Sequence, residues 1–489
     1  MSIRRCCNLI LTFSIVISGA AAYSCTIGAF GPSATADGRP ILWKNRDVKN
    51  PDQEMRYFDR GRYRFIANVY AGETLDVWAG INEAGFAIMN SNSYNIGGRA
   101  ATGHKPRKQD IDADDGNIMH LALANCSTVD EFASLLDSLN RVGRETPVNF
   151  GVFDASGRTA IFEAANTYYR RYDADQESLG ILVRANYSYH GDTIRQTGRG
   201  RHDRAWQLVA PVARRRQITP EFVMRVLARD MGSVGFDPYP LPFYGCVGEL
   251  PFGHVPAGST ICRTTTRSAE IMVGPKPGVS PASGMMYVML GPPETSVPIP
   301  LWVNGGPVPE HLDGPERARL CDEAIALRAY TRSEPQYPDA VNTFSLCRVL
   351  SAVASAESII FSRVRQLEAE RPEGPGADEA AALTVLSCRL AIESVENFWE
   401  HFYSPKSDSA PAGRPNIVPA VSRGSVVISL PEGMHRVRVC DAAGRTVAEL
   451  VGRSGDTQLV WKPDGLGAGR YFVRFPGAAR RAVSFVYIP

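Results

Sequence analysis

The sequence predicts an α+β protein followed by a small all-β module, and three observations carry that prediction. From residue 26 to about 310, short apolar β runs alternate with turn residues and are interrupted by helices, without the regular strand–helix alternation of a βαβ series. From Pro315 to about Tyr403 the strand pattern stops and helical spacing takes over. After a stretch rich in Pro, Ser and Ala, Ser404 to Ala420, five short β runs follow within about 70 residues.

The chain opens as a leader. Arg4 and Arg5 supply a positive end, Leu9 to Ile17 a short apolar run, and Ala20 to Ala22 the small residues of a cleavage site. That run is too short to span a bilayer comfortably, and no later stretch of 18 or more apolar residues follows. The expectation is a signal peptide over 1–24 and an exported, soluble mature chain. Strands are expected at Pro40–Trp43, Leu75–Trp78, Phe86–Met89, Phe150–Phe153 and Met285–Leu290. Asn149 to Glu163 reads as a hairpin turning on Asp154 to Gly157. Thr128-Val-Asp-Glu131 makes a capping box that opens a helix over Phe132 to Leu139, and Pro220 to Asp230 is a second amphipathic helix. In the helical region, Leu320, Ala324 and Leu327 share a face, as do Ile360, Val364 and Leu367, and Leu383, Leu386 and Leu390. The Pro/Gly break at Arg371 to Gly376 divides it, giving about three helices over 311–403. The expected domains are therefore 25–310, a helical extension over 311–403, a linker over 404–420 and a β module over 421–489.

Composition narrows the function little. The 489 residues are 44% hydrophobic and 21% charged, with a formal net charge of +2. That balance favours neither nucleic acid nor an acidic surface as partner, and no basic run interleaved with aromatics occurs. Asp110-Ile-Asp-Ala-Asp-Asp-Gly116 has some of the spacing of a calcium loop, but Gly116 falls one position late and Leu121 stands where a glutamate is needed. A solvated acidic loop is the expectation, with no metal and no cofactor.

Of ten cysteines, Cys6 and Cys7 would leave with the leader. The rest show no CxxC or zinc-type spacing, and Cys246 with Cys262 is the closest plausible pair. Cys25 stands where the leader should end. It admits three readings. It is a structural or disulfide cysteine, a lipid-modified cysteine, or the first residue of the mature protein. Tyr23 fits a lipoprotein signal poorly, whereas Ala22 and Ser24 suit a processing site. Cleavage after Ser24 would leave Cys25 with a free α-amine; cleavage after Ala22 would leave two residues to be trimmed. A first-residue cysteine combines a strong nucleophile with an α-amine of pKa about 7.7–8.0 that can serve as its base. No distant histidine is then needed.

The flanking residues resemble a known group. Cys25-Thr-Ile-Gly-Ala-Phe30, followed by Ala34 to Asp47 with the element Asn45-Arg-Asp47, is similar to the opening of the N-terminal-nucleophile amidases of the choloylglycine hydrolase, penicillin V acylase and isopenicillin-N acyltransferase group. Gly80-Ile-Asn-Glu-Ala-Gly-Phe86 and the run to Asn92 resemble the segment that ends in an oxyanion-hole asparagine, which falls on Asn92 with Asn90 as close rival. Leu182 to Tyr187 resembles the strand with a second site asparagine, here Asn186. Gly200-Arg-His-Asp-Arg204 resembles the place of a site arginine, Arg201, with Arg204 second and Arg267 a further rival. Thr265 to Ala269 and Leu290 to Leu301 resemble later strands of the acyltransferase-like branch. Bile-salt-type members carry Arg three residues before the aspartate, where this chain has Lys44, which weakens that reading and a catalytic role for Lys44.

The resemblance covers residues 25 to about 305. It implies a four-layer αββα fold and the catalytic set Cys25, Asp47, Asn92, Asn186 and Arg201. The implied activity is hydrolysis of a linear amide, non-peptide or in a small peptide, through a thioester, on a small-molecule substrate. Two alternatives stay open: acyl transfer of the isopenicillin-N type, and a non-catalytic surface or adhesion protein. Taken singly, each residue also has a bland reading. Asn45 and Asp47 could close a turn, Asn186 bond at a strand end, and Arg201 pair with Asp203. At the other end, Cys440-Asp-Ala-Ala-Gly-Arg445, Trp461 and Gly465 to Val473 resemble the Ig-like sorting domains of type IX secretion and FlgD-like modules. That implies secretion machinery or the cell surface as a partner.

Overall fold

A strand whose side chains are buried on both faces must lie between two layers, and this is the condition of β2, Ile41–Asp47, all seven of whose residues are buried. In a computed structural model of the chain, residues 25–97, 114–314, 317–332 and 336–403 are described, and from 417 onward the strands with a few residues between them. The leader, residues 110–113 of the acidic stretch and most of the linker lie outside the described residues.

In chain order, β1 (Thr26–Phe30) and β2 are followed by β3 (Gln53–Phe58), β4 (Phe65–Tyr70), β5 (Ala79–Asn82) and β6 (Ala87–Asn92). Then come α1 (Asp115–Asn125), α2 (Val129–Asn140), β7 (Val148–Phe153), β8 (Thr159–Ala164), β9 (Tyr169–Asp173), β10 (Ile181–Arg184) and α3 (Arg199–Ala213). Next are β11 (His254–Pro256), β12 (Thr266–Val273), β13 (Met285–Leu290) and β14 (Ile299–Trp302). The helical stretch is α4 (Arg319–Thr331), α5 (Thr343–Glu370) and α6 (Ala377–Tyr403), with β15 (Ala340–Asn342) pairing β11 in a small ribbon.

Two sheets carry the architecture. One has the order β10-β1-β2-β12-β13-β14; the other is a meander, β3 to β9 in sequence order. Every pairing in both is antiparallel. Alternation sends Ile27, Leu42 and Met272 of the first sheet against Ile66, Ile81 and Met89 of the second. The opposite face of the first sheet, with Trp43 and Ile271, packs on Val209 of α3, Phe361 of α5 and Leu383 of α6. The outer face of the meander, with Ile88, Phe150 and Phe162, packs on Leu123 of α1 and Phe132 of α2. The layer order is helix, sheet, sheet, helix.

The α2 N-terminus forms as its sequence requires. Thr128 accepts from the Glu131 N–H, and the Glu131 carboxylate reaches back to the N–H and hydroxyl of Ser127, one residue before the cap. Two expected elements differ. Leu75–Trp78 is a loop rather than a strand, because the Glu73 carboxylate caps the N–H groups of Thr74 and Leu75 and Val77 bonds Gly116 of α1. The helix expected over 220–230 is a single turn, Pro220–Phe222, running into a π-helical turn, Val223–Leu227. No disulfide joins Cys246 to Cys262: Cys246 is exposed, while buried Cys262 points its thiol at Glu294, 2.9 Å away.

Three helices occupy 319–403, with the break at 371–376. By length and composition α5 could cross a bilayer, with mean hydropathy 1.5 over 18 residues. In this fold it contributes Val349, Val353 and Ile360 to the central core. The last part of the expected linker is a strand, β16 (Ile417–Val418), which forms one sheet with β18 (Val426–Ser429) and β21 (Gln458–Trp461). A second sheet holds β17 (Val421–Arg423), β19 (Arg436–Cys440), β20 (Thr446–Val451), β22 (Gly469–Arg474) and β23 (Val483–Ile488). Both contribute to a core of Val426, Ile428, Val437, Val439, Trp461 and Tyr471.

Candidate active site

The start of β1 lies inside the first sheet, between β10 and β2, with Thr26 opposite Asn45 and Ile27 opposite both Lys44 and Arg184. Cys25 immediately precedes that strand and is buried. Asp47 closes β2, opposite Thr266 of β12. The Thr266 hydroxyl donates to Asp47 Oδ1 at 2.6 Å. The other oxygen, Oδ2, is buried without a hydrogen bond among the described residues and lies 3.9 Å from Arg201 Nη1.

Arg201 is delivered by the entry to α3. Gly198 precedes the helix in the left-handed region, φ 80°, and any Cβ there would strike the Arg201 guanidinium. The first turn of the helix thus points Arg201, 3% exposed, back into the sheet. Its Nη1 donates to the Cys25 carbonyl at 2.8 Å and to Thr26 Oγ1 at 2.7 Å, and its Nη2 to Asn186 Oδ1 at 2.7 Å. Asn186, just past β10, donates through Nδ2 to the Asn92 carbonyl at 3.0 Å, and its own carbonyl accepts from the Tyr94 N–H. A continuous set of hydrogen bonds therefore runs from the Cys25 carbonyl through Arg201 and Asn186 to the end of β6. The Asn92 side-chain amide makes no hydrogen bond among the described residues and is half-buried, free to donate elsewhere.

Electrostatics at the site is governed by burial. Desolvation pushes the Cys25 thiol up; the Lys44 ammonium and the Asp47 backbone N–H work the other way. Burial also pushes the Asp47 carboxyl up to about 6, against the opposing pull of Arg201 and the Thr266 hydroxyl. Lys44, almost wholly buried, is lowered by desolvation and partly restored by Cys25 and Glu270. Its Nζ donates to the Trp78 carbonyl and to Asn90 Oδ1, and Asn90 in turn donates to Asp115. Asn90 is thereby committed to this polar set, whereas Asn92 is not.

The rivals and bland readings separate on the same geometry. Arg204 is held by Asp230 at 2.8 and 3.0 Å. Arg267 donates to the Val48 carbonyl at 3.2 Å. Asn45 is a strut: it receives the Trp43 indole N–H and donates to the carbonyls of Ala228 and Ile261. Asp203 takes His202 and Arg199, not Arg201. Sequence reasoning passed over Thr266 and Glu270 and set Lys44 aside. The signal was present in β2 itself, where Lys44, Arg46 and Asp47 occupy a strand buried on both faces, a position charged residues rarely hold without a task.

Residues 33–206 match the family model described as acyl-coenzyme A:6-aminopenicillanic acid acyl-transferase, a stretch that includes Asp47, Asn92, Asn186 and Arg201. No curated protein matches the chain. Among solved structures, a variant of conjugated bile acid hydrolase from Clostridium perfringens is similar at 14% identity, covering 59% of this chain and 94% of that one, with a TM-score of 0.35. Penicillin V acylase from Agrobacterium tumefaciens is similar at 16% identity, over 57% of this chain and 85% of that one, with a TM-score of 0.35. An N-acylethanolamine-hydrolyzing acid amidase ortholog from Caenorhabditis elegans is similar at 15% identity, over 52% and 93%, with a TM-score of 0.33. At TM-scores of this size the likeness bears no inference about chemistry.

Proposed function

We propose that this chain is an exported cysteine N-terminal-nucleophile hydrolase that cleaves a linear amide C–N bond through a thioester. The observation that carries the reading is the grip of Arg201 on the Cys25 carbonyl together with Asp47 Oδ2, which has no hydrogen bond among the described residues and only the Arg201 guanidinium at 3.9 Å. A buried carboxylate oxygen with no donor is costly unless a cation completes it. Removal of the leader after Ser24 would create that cation on Cys25.

In this mechanism the α-amine accepts the thiol proton as Sγ attacks the amide carbonyl. The Asn92 amide donates to the oxyanion of the tetrahedral intermediate. Collapse breaks the C–N bond, the α-ammonium returns its proton to the leaving amine, and water then hydrolyses the thioester. Asp47 holds and orients the ammonium, while Arg201 and Asn186 fix the strand that carries the nucleophile. Export, a catalytic unit over 25–310 and an Ig-like sorting module over 421–489 belong to the same proposal. A second reading, release of the acyl group to an amine instead of water, is kept because the matched family model is that of an acyl-transferase.

The test is the mature N-terminus. Intact mass and N-terminal sequencing of exported protein should give a chain beginning at Cys25, and Cys25→Ala should lower turnover of chromogenic amides by about 10⁴-fold or more. A chain that begins elsewhere, or that carries a lipid mass on Cys25, sinks the mechanism.

A further inference from the structure

The side chains of β2 alternate between two environments. Ile41 and Trp43 face the helices, whereas Leu42 lies in the core between the sheets, and Lys44 and Arg46 continue the Leu42 face. Register places Glu270 of β12 opposite Lys44 and Ser268 opposite Arg46. Ile27 of β1, also opposite Lys44, stands two residues after Cys25, so the thiol belongs to the same face. The layer between the sheets is therefore apolar through Leu42, Met272 and Ile66 and polar at its Cys25 end.

That polar end is incompletely paired. Arg46 is 1% exposed, lies over the rings of Tyr70 and Trp78 at 4.3 and 4.5 Å, and donates to Gln53 Oε1 at 2.7 Å. It has no carboxylate within 4.0 Å among the described residues. Neither Glu270 oxygen closes a hydrogen bond among them, nor does Ser268 Oγ or the Trp78 indole N–H, although all these atoms are buried. Burial raises the Glu270 carboxyl, while Lys44, Ser268 and Arg46 pull it back. Tyr70 and Trp78 are half-buried, so this end of the layer reaches the surface.

Open donors and acceptors in poorly solvated surroundings are costly, and a chain of methylenes laid against them satisfies none. Charge narrows the choice further. Burial raises the Cys25 thiol, and Lys44 and Arg46 both oppose it. Once the thiolate forms, it offsets Arg46 and Glu270 offsets Lys44, which leaves no net charge to attract an ion. What fits is a neutral group with both a donor and an acceptor. The leaving amine takes its proton from the α-amine, held by Asp47 on the opposite face of β2, so the group on the Ser268 and Glu270 side is the acyl part.

We propose that Arg46, Trp78, Ser268 and Glu270 form an acyl-selecting subsite beside Cys25, and that the acyl group of the substrate is neutral and carries a hydrogen-bond donor and acceptor, as an N-acylated aminoacyl group does. This rests on the cysteine-nucleophile reading and narrows its substrates to amides whose acyl group is not a plain alkyl chain. A site built to hydrogen-bond a group rejects the analogue that lacks it.

The experiment compares two p-nitroanilides of the same shape, N-acetylglycyl and 4-methylpentanoyl, on the mature full-length chain. In both, Cys25 Sγ bonds the acyl carbon, the C–N bond breaks and p-nitroaniline leaves with a proton. Each kcat/KM is divided by the hydroxide-catalysed rate of that compound. The first value should exceed the second at least tenfold. Arg46→Leu should lower that ratio at least tenfold and the milder Ser268→Ala at least threefold, with thermal melts to check folding. Arg214→Gln, an exposed control, should leave it unchanged. A ratio near one, or a ratio that Ser268→Ala and a folded Arg46→Leu both leave alone, overturns the subsite. So does turnover of neither compound while iodoacetamide still labels Cys25. Failure of iodoacetamide to label Cys25 overturns the nucleophile and the subsite together.

Discussion

Asp47 carries a cost that a free α-amine at Cys25 would relieve. Its carboxyl titrates at about 6 in the fold against an ordinary 3.8, so the folded chain binds that proton more tightly than the unfolded chain. Stability therefore falls as pH rises through that window, and the full cost is present at neutral pH. A shift of this size corresponds to about 3 kcal/mol. While residue 24 remains attached, Asp47→Asn should stabilise the chain by about 2 kcal/mol near pH 7, with the gain gone below about pH 4. In a chain that begins at Cys25 the ammonium pairs with the carboxylate, and the gain should vanish. Denaturant titrations of both forms across that pH range measure the difference; an equal gain in both would remove Asp47 from its role. Asn92 offers a purely kinetic test. If its amide serves the oxyanion, Asn92→Ala should cut kcat by about 10²–10³-fold with little change in melting temperature, since among the described residues the side chain supports nothing else.

At the scale of elements, the entry to α3 couples backbone to chemistry. Gly198→Ala would force a left-handed residue to carry a Cβ, at a cost of about 1–2 kcal/mol, and would push on Arg201 and Ala185. The expected result is a loss of activity much larger than the loss of stability, read as kcat against melting temperature. Phe132→Ala should do the reverse. That ring packs edge-on to Phe150 and Phe162 in the layer under α2, and its loss should cost about 3–5 kcal/mol while leaving kcat/KM nearly unchanged. These elements also mark what the sequence disclosed. The helix over α2 was legible because capping and periodicity agree on the same residues. Leu75–Trp78 was misread as a strand because four residues with three apolar side chains around Asp76 fit a strand or a packed loop, and the Glu73 cap that decides it is a side-chain event. Cys25, Asp47 and Arg201 were legible as candidates, yet the Arg201 grip on the Cys25 carbonyl was not. Nothing local to either residue encodes a contact made by docking a helix onto a sheet.

At the scale of the molecule, the β module beyond the linker keeps its own core around Trp461 and Tyr471. If it serves sorting rather than catalysis, a chain ending at residue 403 should keep kcat/KM within about twofold and lose retention at the cell surface, as fractionation would show. A second consequence comes from the strand order of the first sheet. The nucleophile strand is made first and pairs on one side with β2, the next strand made, but its other neighbour, β10, and the far neighbour of β2, β12, are made much later: Cys25 meets Arg201 across 176 residues, and Asp47 meets Thr266 across 219. Closing loops of that length precedes any reward from the contacts, so this sheet is a slow, late-assembling structure of high contact order. A chain threaded outward from its N-terminus would present Cys25 first and arm it last. The thiol would have no ordered surroundings until more than half the polypeptide had arrived, which makes folding itself the timing device for the chemistry.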